Sequence, residues 1–493
     1  MFNWIDQNIL SLIIFTPLAG AVVGLFLPSS QRRVFEIWTL FVTLLTFVLS
    51  LHLVFYFDNG AGYQFAIFKP WIQSLGVQYA LAVDGISLWL VVLTTFLMPI
   101  VTLFSWGAVG ERHKAYYLLL LILHTGMLGA FMAVDAFFFY LFWEAMLIPM
   151  YFLIGIYGHG DKIKAATKFF IYTVVGSVLM LLGMIYLYFR AGGSFLLQDW
   201  LVLDLSTSEQ WWLFLAFTLS FAIKVPIFPL HTWLPEAHTQ APAAGSVILA
   251  GVLLKMGTYG LVRFAIPLFP QAYDQAYPVI ASLAVVGIIY GSLVAMVQKD
   301  IKKLIAYSSI AHLGFVVLGL MAFNEQSMTG AVYQMLNHGV SSGALFLLVG
   351  MLYTRTHTQA IANYGGLAKT LPLFTFVFMV VTFSSIALPG TNGFVGEFMI
   401  LAGTFYSDLS LWAIVASLGV ILSAVYMLWM VERVFFGKKA GESLKPLKDL
   451  NLREWLCILP LLVMIVWMGL KPNFFLEKIE PAVKTLVEIK SAF

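Results

Sequence analysis

Four ionisable residues lie inside long apolar segments of this sequence, namely Glu144, Lys224, Lys255 and Glu397. A charged side chain at the centre of a bilayer costs about 2.5 to 3.5 kcal/mol on insertion scales. Four unpaired charges would together cost about as much as the whole stability of an ordinary domain. We therefore interpret them as sites on an ion or proton path. The alternative is two ion pairs that only fix the packing of helices.

Two histidines, His312 and His338, lie in neighbouring apolar segments. At about 1.5 Å per helical residue, Glu144, Lys255 and His338 fall roughly 13 to 18 Å into a hydrocarbon core of about 30 Å. His312 falls at a similar depth. Titratable groups at one level of the membrane allow lateral proton transfer through hydrogen bonds and waters. We predict a relay role for both histidines, with packing on an apolar face as the alternative.

Two of the apolar segments contain residues that interrupt a helix. Pro226 and Pro229 closely follow Lys224, and Pro389 and Gly390 precede Glu397. Proline removes a backbone donor and clashes with the preceding helical turn. Breaks at membrane depth are tolerated where the freed backbone groups line a polar cavity. We therefore predict two broken helices beside the charged residues, although kinks that only serve packing are the alternative.

The composition predicts an all-α polytopic membrane protein. Of the 493 residues, 61% are apolar and 10% are charged, and the mean hydropathy is +0.92, whereas soluble domains carry about 25% charged residues. Apolar runs of about 20 residues predict about 14 transmembrane helices in one membrane domain, 1–493. The predicted spans are 8–27, 33–56, 84–107, 114–133, 135–157, 163–190, 210–238 (interrupted), 243–266, 275–297, 301–323, 328–354, 371–405 (interrupted), 409–434 and 453–470.

The order of the spans indicates an internal repeat. Spans four to eight, residues 114–266, and spans nine to thirteen, residues 275–434, each have a broken helix as their fourth member. Because the second set begins five spans after the first, an odd number, it has the opposite orientation in the membrane. The pattern therefore predicts two inverted five-helix repeats, a device typical of transporters.

The basic residues predict the orientation. Most of the 27 Lys and Arg residues fall in loops that the span order assigns to one side, and Lys224 and Lys255 belong to neither side. By the positive-inside rule both termini are expected outside, which is the periplasm if the chain lies in a bacterial inner membrane. The N-terminal apolar run is expected to remain as a span, because Asp6 precedes it without any Lys or Arg.

Several classes of cofactor chemistry are not expected in this chain. The single cysteine, Cys457, excludes an internal disulfide and cysteine-based zinc or iron-sulfur sites. No glycine-rich phosphate loop is present, and we expect no nucleic-acid partner. A metal site at His231, Glu236 and His238 is disfavoured, because Pro235 interrupts the helical face and no further ligand completes the set.

The residues around the charged sites resemble those of a known family. The run KVPIFPLHTWLPEAHTQAP at 224–242 and the run LLKMG at 253–257 are similar to the antiporter-like membrane subunits of respiratory complex I. FWEAM at 142–146 and LPG at 388–390 also match, and the resemblance extends over essentially the whole chain. Within the family, the chain resembles the M-type branch more than the L and N types.

The resemblance implies roles for the charged residues. It identifies Glu144 as the carboxylate of the fifth helix, Lys224 as its partner lysine on the seventh, Lys255 as the connecting lysine on the eighth, and Glu397 as the exit site. A glutamate at the last position is typical of the M type, where the L and N types carry lysine. The L type is also longer and ends in a lateral amphipathic helix, which is not expected here.

These roles imply a mechanism. Neutralising or moving Glu144 would let Lys224 release its proton towards Lys255, and the path would continue through waters, His312 and His338 to Glu397. The polar residues Tyr307, Ser308 and Ser309 are expected to support it. Moving one proton against 100 mV costs about 2.3 kcal/mol, which no group in this chain supplies.

The resemblance implies that the energy comes from other subunits, which hold NADH, FMN, iron-sulfur clusters and quinone. The implied partners are the L-type and N-type subunits and lipids.

Two other functions stay open. The chain could belong to a multisubunit sodium/proton antiporter or a membrane-bound hydrogenase, which carry the same motifs, or it could be a structural scaffold. Flanking L-type and N-type genes would favour complex I.

Overall fold

The computed structural model describes residues 2–60, 62–437 and 447–491. The described chain consists mainly of helices and one β-hairpin. A five-residue helix at Leu197–Leu201 and three-residue 3-10 helices lie in the connections and are not numbered. In chain order these are α1 (Phe2–Phe26), α2 (Arg32–Tyr56), β1 (Gln64–Ile72), β2 (Val77–Val83), α3 (Ser87–Phe104), α4 (His113–Met132), α5 (Ala136–Tyr157), α6 (Lys162–Arg190), α7 (Thr207–Lys224), α8 (Trp233–Gln240), α9 (Ala243–Leu268), α10 (Pro270–Met296), α11 (Ile301–Ala322), α12 (Glu325–Thr356), α13 (Pro372–Ser385), α14 (Asn392–Phe405), α15 (Ser410–Phe436), α16 (Leu452–Leu470) and α17 (Asn473–Ser491).

The helices confirm a polytopic all-α membrane fold. Within the described ranges, 12 helices are long and apolar enough to cross a membrane, and they match the 12 uninterrupted spans of the sequence prediction. The two interrupted spans correspond to α7 with α8 and to α13 with α14. The count of 14 stays a prediction, because it requires each of these broken pairs to cross the membrane in two pieces.

The structure places both helix breaks at the residues that the sequence singled out. α7 ends at Lys224, and turns that include Pro226 and Pro229 follow before α8 begins. Between α13 and α14, Gly390 has a φ of 91°, in the left-handed region that glycine adopts without a steric penalty. Lys224 therefore lies at the end of one helical piece, and Glu397 lies in the second turn of another.

Two elements were not predicted. Residues 57–83 lie between two predicted spans, 33–56 and 84–107, and there β1 and β2 pair antiparallel, with Phe68 opposite Ala80. β2 is a short, almost continuously apolar run, for which periodicity does not separate strand from helix. The second is α17, which buries Phe475, Ile479 and Val483 on one face, as an amphipathic helix does.

Basic residues from distant parts of the chain meet at one end of the bundle. Lys114 Nζ donates a hydrogen bond to the Leu25 carbonyl over 2.7 Å, and an Arg453 guanidinium nitrogen donates to the Trp106 carbonyl. Three further lysines from the same side of the charge prediction, Lys438, Lys439 and Lys445, lie outside the described residues. The end of the bundle that holds Lys114 and Arg453 is called the basic end below.

The centre of the bundle consists of α9, α11 and α12, which are buried along almost all of their length. They carry Lys255, His312 and His338, respectively. Helices such as α1, α2 and α15 are much more exposed and form the outer layer. The titratable residues on the central helices are thus shielded from lipid by the protein itself.

Candidate functional site

Lys255 lies at the centre of α9, between two stretches of π-helix at Leu249–Leu253 and Leu261–Ala265. Such turns replace i→i+4 hydrogen bonds with longer ones and occur frequently at functional sites. The Lys255 ammonium uses this geometry to donate a hydrogen bond to the Ala250 carbonyl of its own helix. Its side chain is completely buried, so the other N–H groups of the ammonium need hydrogen-bond acceptors among the neighbouring polar groups.

The first such group is His338 on α12. Lys255 Nζ and His338 Nδ1 are 2.6 Å apart, which is a direct hydrogen bond. The His338 and His312 rings have centroids 5.9 Å apart. His312 Nδ1 is 2.7 Å from Glu397 Oε1, and both side chains are buried. The structure thus brings Lys255, His338, His312 and Glu397 into one row across three central helices and α14.

Within the described residues, several polar atoms of this row have no hydrogen-bond partner. They include Nε2 of both His312 and His338 and Oε2 of Glu397. Buried polar groups are normally satisfied by protein or by ordered water. A cavity of about 10 Å³ lies against both histidines, which is about the space that one water molecule requires. The gap between the two rings is therefore suited to a bridging water.

Three neutral residues that the sequence analysis missed support the Glu397 end of the row. Gln334 Nε2 donates to Glu397 Oε1 over 3.0 Å, and Asn337 Nδ2 donates to Gln334 Oε1 over 3.1 Å. Asn392 Nδ2 in turn donates to the Asn337 carbonyl over 3.2 Å. A usable signal was present, because Gln334 precedes His338 by four residues and so shares its helix face.

The supporting residues expected from the sequence divide into two groups. Ser308 and Ser309 line the same small cavity as His312, and Tyr426 donates a hydrogen bond to Ser308 Oγ over 3.0 Å. Tyr307 instead lies near His231, with ring centroids 6.3 Å apart. Ser308 and Ser309 therefore belong to the central row, whereas the Tyr307 ring packs beside a different histidine.

Lys224 and Glu144 interact electrostatically, but no hydrogen bond or salt bridge joins them in the described structure. Lys224 is buried, and its Nζ lies 5.1 Å from the centroid of the Trp143 ring and 5.6 Å from that of Phe169. Lys224 Nζ and Glu144 Oε1 have no hydrogen-bond partner among the described residues, although the two side chains interact electrostatically. Lys224 Nζ therefore lies in cation–π geometry with two aromatic rings, and its role as the partner of Glu144 stays a prediction.

Glu144 is only half-buried, and it lies at the edge of the bundle. The neighbouring Leu141 and Ile148 on α5 are exposed. Part of the Glu144 residue is thus accessible from outside the chain, although its Oε1 atom is buried, while Lys224 is enclosed. Two groups that interact across a short gap without bonding can be separated or neutralised at little cost in packing, unlike a buried ion pair.

Gly257 lies where α9, which carries Lys255, packs against the end of α7, which carries Lys224. A Cβ atom added to Gly257 would lie 2.7 Å from the Phe221 carbonyl oxygen and 2.8 Å from the Val225 backbone nitrogen. Because real Cβ atoms do not approach backbone so closely, only glycine lets α9 pack this tightly against the end of α7. The glycine of the LLKMG run is therefore a packing requirement of the site.

Substituting Gly257 with alanine is expected to destabilise this helix contact by about 1 to 3 kcal/mol, the usual cost of overpacking. Gly343→Ala is the matched control, because a Cβ atom on this buried helical glycine would meet its nearest atoms at 3.7 Å, an ordinary contact. Thermal unfolding of the purified complex should show a lower midpoint for Gly257→Ala than for Gly343→Ala. Equal midpoints would contradict the inferred close packing.

The metal alternative finds little support in the geometry. Within the described ranges, no group of three or more His, Cys, Asp or Glu side chains is arranged to hold a metal ion. His238 stacks on the Phe346 ring, with centroids 4.4 Å apart. His231 stacks on Phe228, with centroids 5.5 Å apart. Both histidines are therefore engaged by aromatic rings.

The fold and the buried row together define an antiporter-like, ion-translocating class of membrane protein, and comparisons with known proteins agree. Residues 133–423 match the family described as NADH:quinone oxidoreductase/Mrp antiporter, TM. The chain is 46% identical to NADH-quinone oxidoreductase subunit M of Rhodobacter capsulatus over 98% of this chain and 97% of that protein. It is 44% identical to NADH-ubiquinone oxidoreductase chain 4 of Marchantia polymorpha over 97% of each chain.

Solved structures give the same assignment. A chain of respiratory complex I from Thermus thermophilus superposes with a TM-score of 0.89 at 32% identity, covering 97% of this chain and 99% of that one. A chain of the Mrp complex from Dietzia sp. DQ12-45-1b shares the fold, with a TM-score of 0.86 at 21% identity over 99% of each chain. The chain belongs to the family of NADH-quinone oxidoreductase M subunits, which includes mitochondrial chain 4.

Proposed function

We propose that this chain conducts protons through the row Lys255, His338, His312 and Glu397, and that Glu144 and Lys224 control the supply of protons to it. The observation that carries the proposal is the pair of direct contacts, Lys255 to His338 and His312 to Glu397, on buried central helices. Ionisable groups at membrane depth cost free energy, and where they occur they usually mark an ion or proton pathway.

Each step of the path transfers a proton between named atoms. Lys255 Nζ passes a proton to His338 Nδ1 along their hydrogen bond. A neutral imidazole accepts a proton on one ring nitrogen and releases one from the other, so His338 passes a proton to His312 through a bridging water. His312 Nδ1 then protonates Glu397 Oε1, and Glu397 releases the proton on the outer side.

Glu144 acts on this path through Lys224. The negative carboxylate stabilises the Lys224 ammonium, so moving or protonating Glu144 favours loss of a proton from Lys224. The close packing at Gly257 keeps the end of α7 against α9, which gives the released proton a short route to Lys255. Because Glu144 is half-buried at the edge of the bundle, a neighbouring subunit is positioned to set its charge.

The energy for transport comes from the rest of the enzyme. Each proton moved against 100 mV requires about 2.3 kcal/mol, and reduction of quinone by NADH supplies it in other subunits. We assign NADH, FMN, the iron-sulfur clusters and quinone to those subunits, and no redox centre to this chain. The proposed neighbours are the L-type and N-type antiporter-like subunits, and the membrane is the bacterial inner membrane with both termini in the periplasm.

The proposed inverted repeats, 114–266 and 275–434, explain why there are two broken helices. α7 with α8 occupies the fourth position of the first repeat, and α13 with α14 occupies the fourth position of the second. Each break lies next to a buried ionisable residue, Lys224 in the first repeat and Glu397 in the second. Half-helices of this kind form ion sites in transporters that are built from inverted repeats.

A sodium/proton antiporter subunit is the second candidate, favoured by the fold shared with the Mrp complex. The two functions differ in the ion that couples to turnover. Proton pumping by membrane vesicles that is driven by NADH and unaffected by removal of sodium supports the first. An absolute requirement for sodium would support the second.

The Glu144→Gln variant tests the control step in the native host. The amide keeps the shape of the side chain but removes its charge, so we expect normal assembly with several-fold lower NADH:quinone turnover and proton pumping. Glu480→Gln, which neutralises an exposed carboxylate on α17, is the control and should behave as wild type. Normal assembly with unchanged pumping in Glu144→Gln would contradict the control step and leave Glu144 only a role in helix packing.

A further inference from the structure

A cleft of about 620 Å³ opens at the basic end of the bundle, between α2, α3 and α16. Three arginines line it, Arg32 and Arg33 from the start of α2 and Arg453 from the start of α16. Glu36 is the one carboxylate among its lining residues. The cleft therefore carries an excess of positive charge that the residues around it do not neutralise.

The arginine side chains converge on one place. A Cβ atom added to Gly107 would lie 3.6 Å from Arg453 Nη1 and 3.8 Å from Arg32 Nη2, so both nitrogens approach the same point. Arg32 Nη2 has no hydrogen-bond partner among the described residues. Arg453 Nη1 also donates to the Trp106 carbonyl. Two guanidinium groups that lie beside one backbone position can bind the oxygens of one phosphate group.

Glu36 does not fill this position, because its carboxylate already has partners. Glu36 Oε1 accepts hydrogen bonds from Arg32 Nε over 2.9 Å and from the Gly107 backbone nitrogen over 3.1 Å. The Arg33 guanidinium lies 5.0 Å from the centroid of the Trp106 ring. Its Nη1 atom is 3.7 Å from Glu36 Oε2, and the side chain remains largely exposed. An anion entering the cleft would thus meet guanidinium groups that one buried carboxylate only partly compensates.

The α16 side chains that line the cleft beside Arg453 are apolar. Leu452 and Leu456 on α16 are exposed. Farther along the same three helices lies an apolar groove of about 220 Å³, lined by residues that include Phe47, Phe96 and Met464. From Leu456 to Met464 the helix rises about 12 Å, somewhat less than half of a hydrocarbon core of about 30 Å. An acyl chain anchored at the arginines therefore reaches this groove.

We propose that this cleft binds the phosphate group of an anionic phospholipid, whose acyl chain follows α16 into the apolar groove. Basic pockets between transmembrane helices on the cytoplasmic side suit such headgroups. A free phosphate ion would use the arginines but not the groove. The residues that line this cleft do not include any residue of the proton row, so this proposal does not depend on the proposed function.

The test uses the purified complex in detergent after exhaustive removal of lipid. Phosphatidylglycerol is titrated, and retained lipid is counted by mass spectrometry while thermal unfolding is followed. The double variant Arg32→Gln/Arg453→Gln is expected to bind the last phosphatidylglycerol about tenfold more weakly than wild type. Lys164→Gln removes an exposed positive charge on α6 outside the cleft and should bind as wild type does.

Comparison of headgroups on the wild-type complex keeps the test independent of whether the double variant assembles. Phosphatidylglycerol should raise the unfolding midpoint, whereas phosphatidylcholine and inorganic phosphate at equal concentration should not. An equal effect of inorganic phosphate would make the cleft a free-anion site, and an equal effect of phosphatidylcholine would remove the role of charge. Either result, or equal binding by wild type and the double variant, would overturn the proposal.

Discussion

Replacing Lys255 with methionine is expected to lower NADH:quinone turnover and coupled proton pumping at least about tenfold, a barrier increase of about 1.4 kcal/mol. The ammonium contacts the Ala250 carbonyl and His338 Nδ1 at the centre of the buried row. Methionine is flexible and fills irregular apolar space, so the substitution removes the proton carrier while the complex still assembles. Vesicles energised with NADH measure pumping, and a native gel measures assembly.

The neighbouring residue supplies a packing control for this experiment. Met256 is also fully buried on α9, and Met256→Leu conserves volume without touching a proton-carrying group, at a cost below about 1.5 kcal/mol. It should pump at nearly the wild-type rate. Unimpaired pumping by Lys255→Met would show that protons do not pass through Lys255. Loss of assembly in both variants would instead indicate that this part of α9 is sensitive to any change.

Replacing Glu397 with glutamine is expected to have a similarly large effect, with pumping and turnover again at least about tenfold lower. The amide keeps the shape of the carboxylate beside His312 and Gln334, but it cannot take up and release a proton. His312 would then have no group to which it can pass its proton. Turnover and proton release in vesicles are the measurements.

The control for Glu397→Gln makes the same chemical change at the surface. Glu325 is exposed at the start of α12, and Glu325→Gln should leave turnover and pumping unchanged. A structural scaffold makes a different prediction for the buried site. In that case Glu397→Gln would reduce the amount of assembled complex, and whatever assembled would pump at the wild-type rate.

Local patterns in the sequence were sufficient to predict the membrane spans and the two breaks. A membrane span is predicted from the hydropathy of about 20 consecutive residues. A helix break is predicted from single residues such as Pro226 and Gly390, which change the backbone at their own positions. The hairpin formed by β1 and β2 escaped prediction, because a short apolar run fits strand and helix equally well. The buried face of α17 emerges only from its contacts with the rest of the bundle.

The contacts of the site depend on residues far apart in sequence. Lys255 and His338 are 83 positions apart, and His312 and Glu397 are 85 apart, so no local pattern specifies which residue meets which. Gln334 went unnoticed because a neutral amide gives a weaker signal than a charge in an apolar run. The aromatic contacts of Lys224 were not predicted, since aromatic residues are too common in this chain to single out Trp143.

The central claim is that Lys255 and Glu397 belong to one proton path, and a double-variant cycle tests it most directly. NADH-driven proton pumping is measured for Lys255→Met, Glu397→Gln and the combination, each corrected for assembled complex. Groups that act as a unit give strongly non-additive losses. If the path is single, the double variant should lose little more than the more impaired single variant. Losses that multiply, as they do for independent sites, would contradict the account.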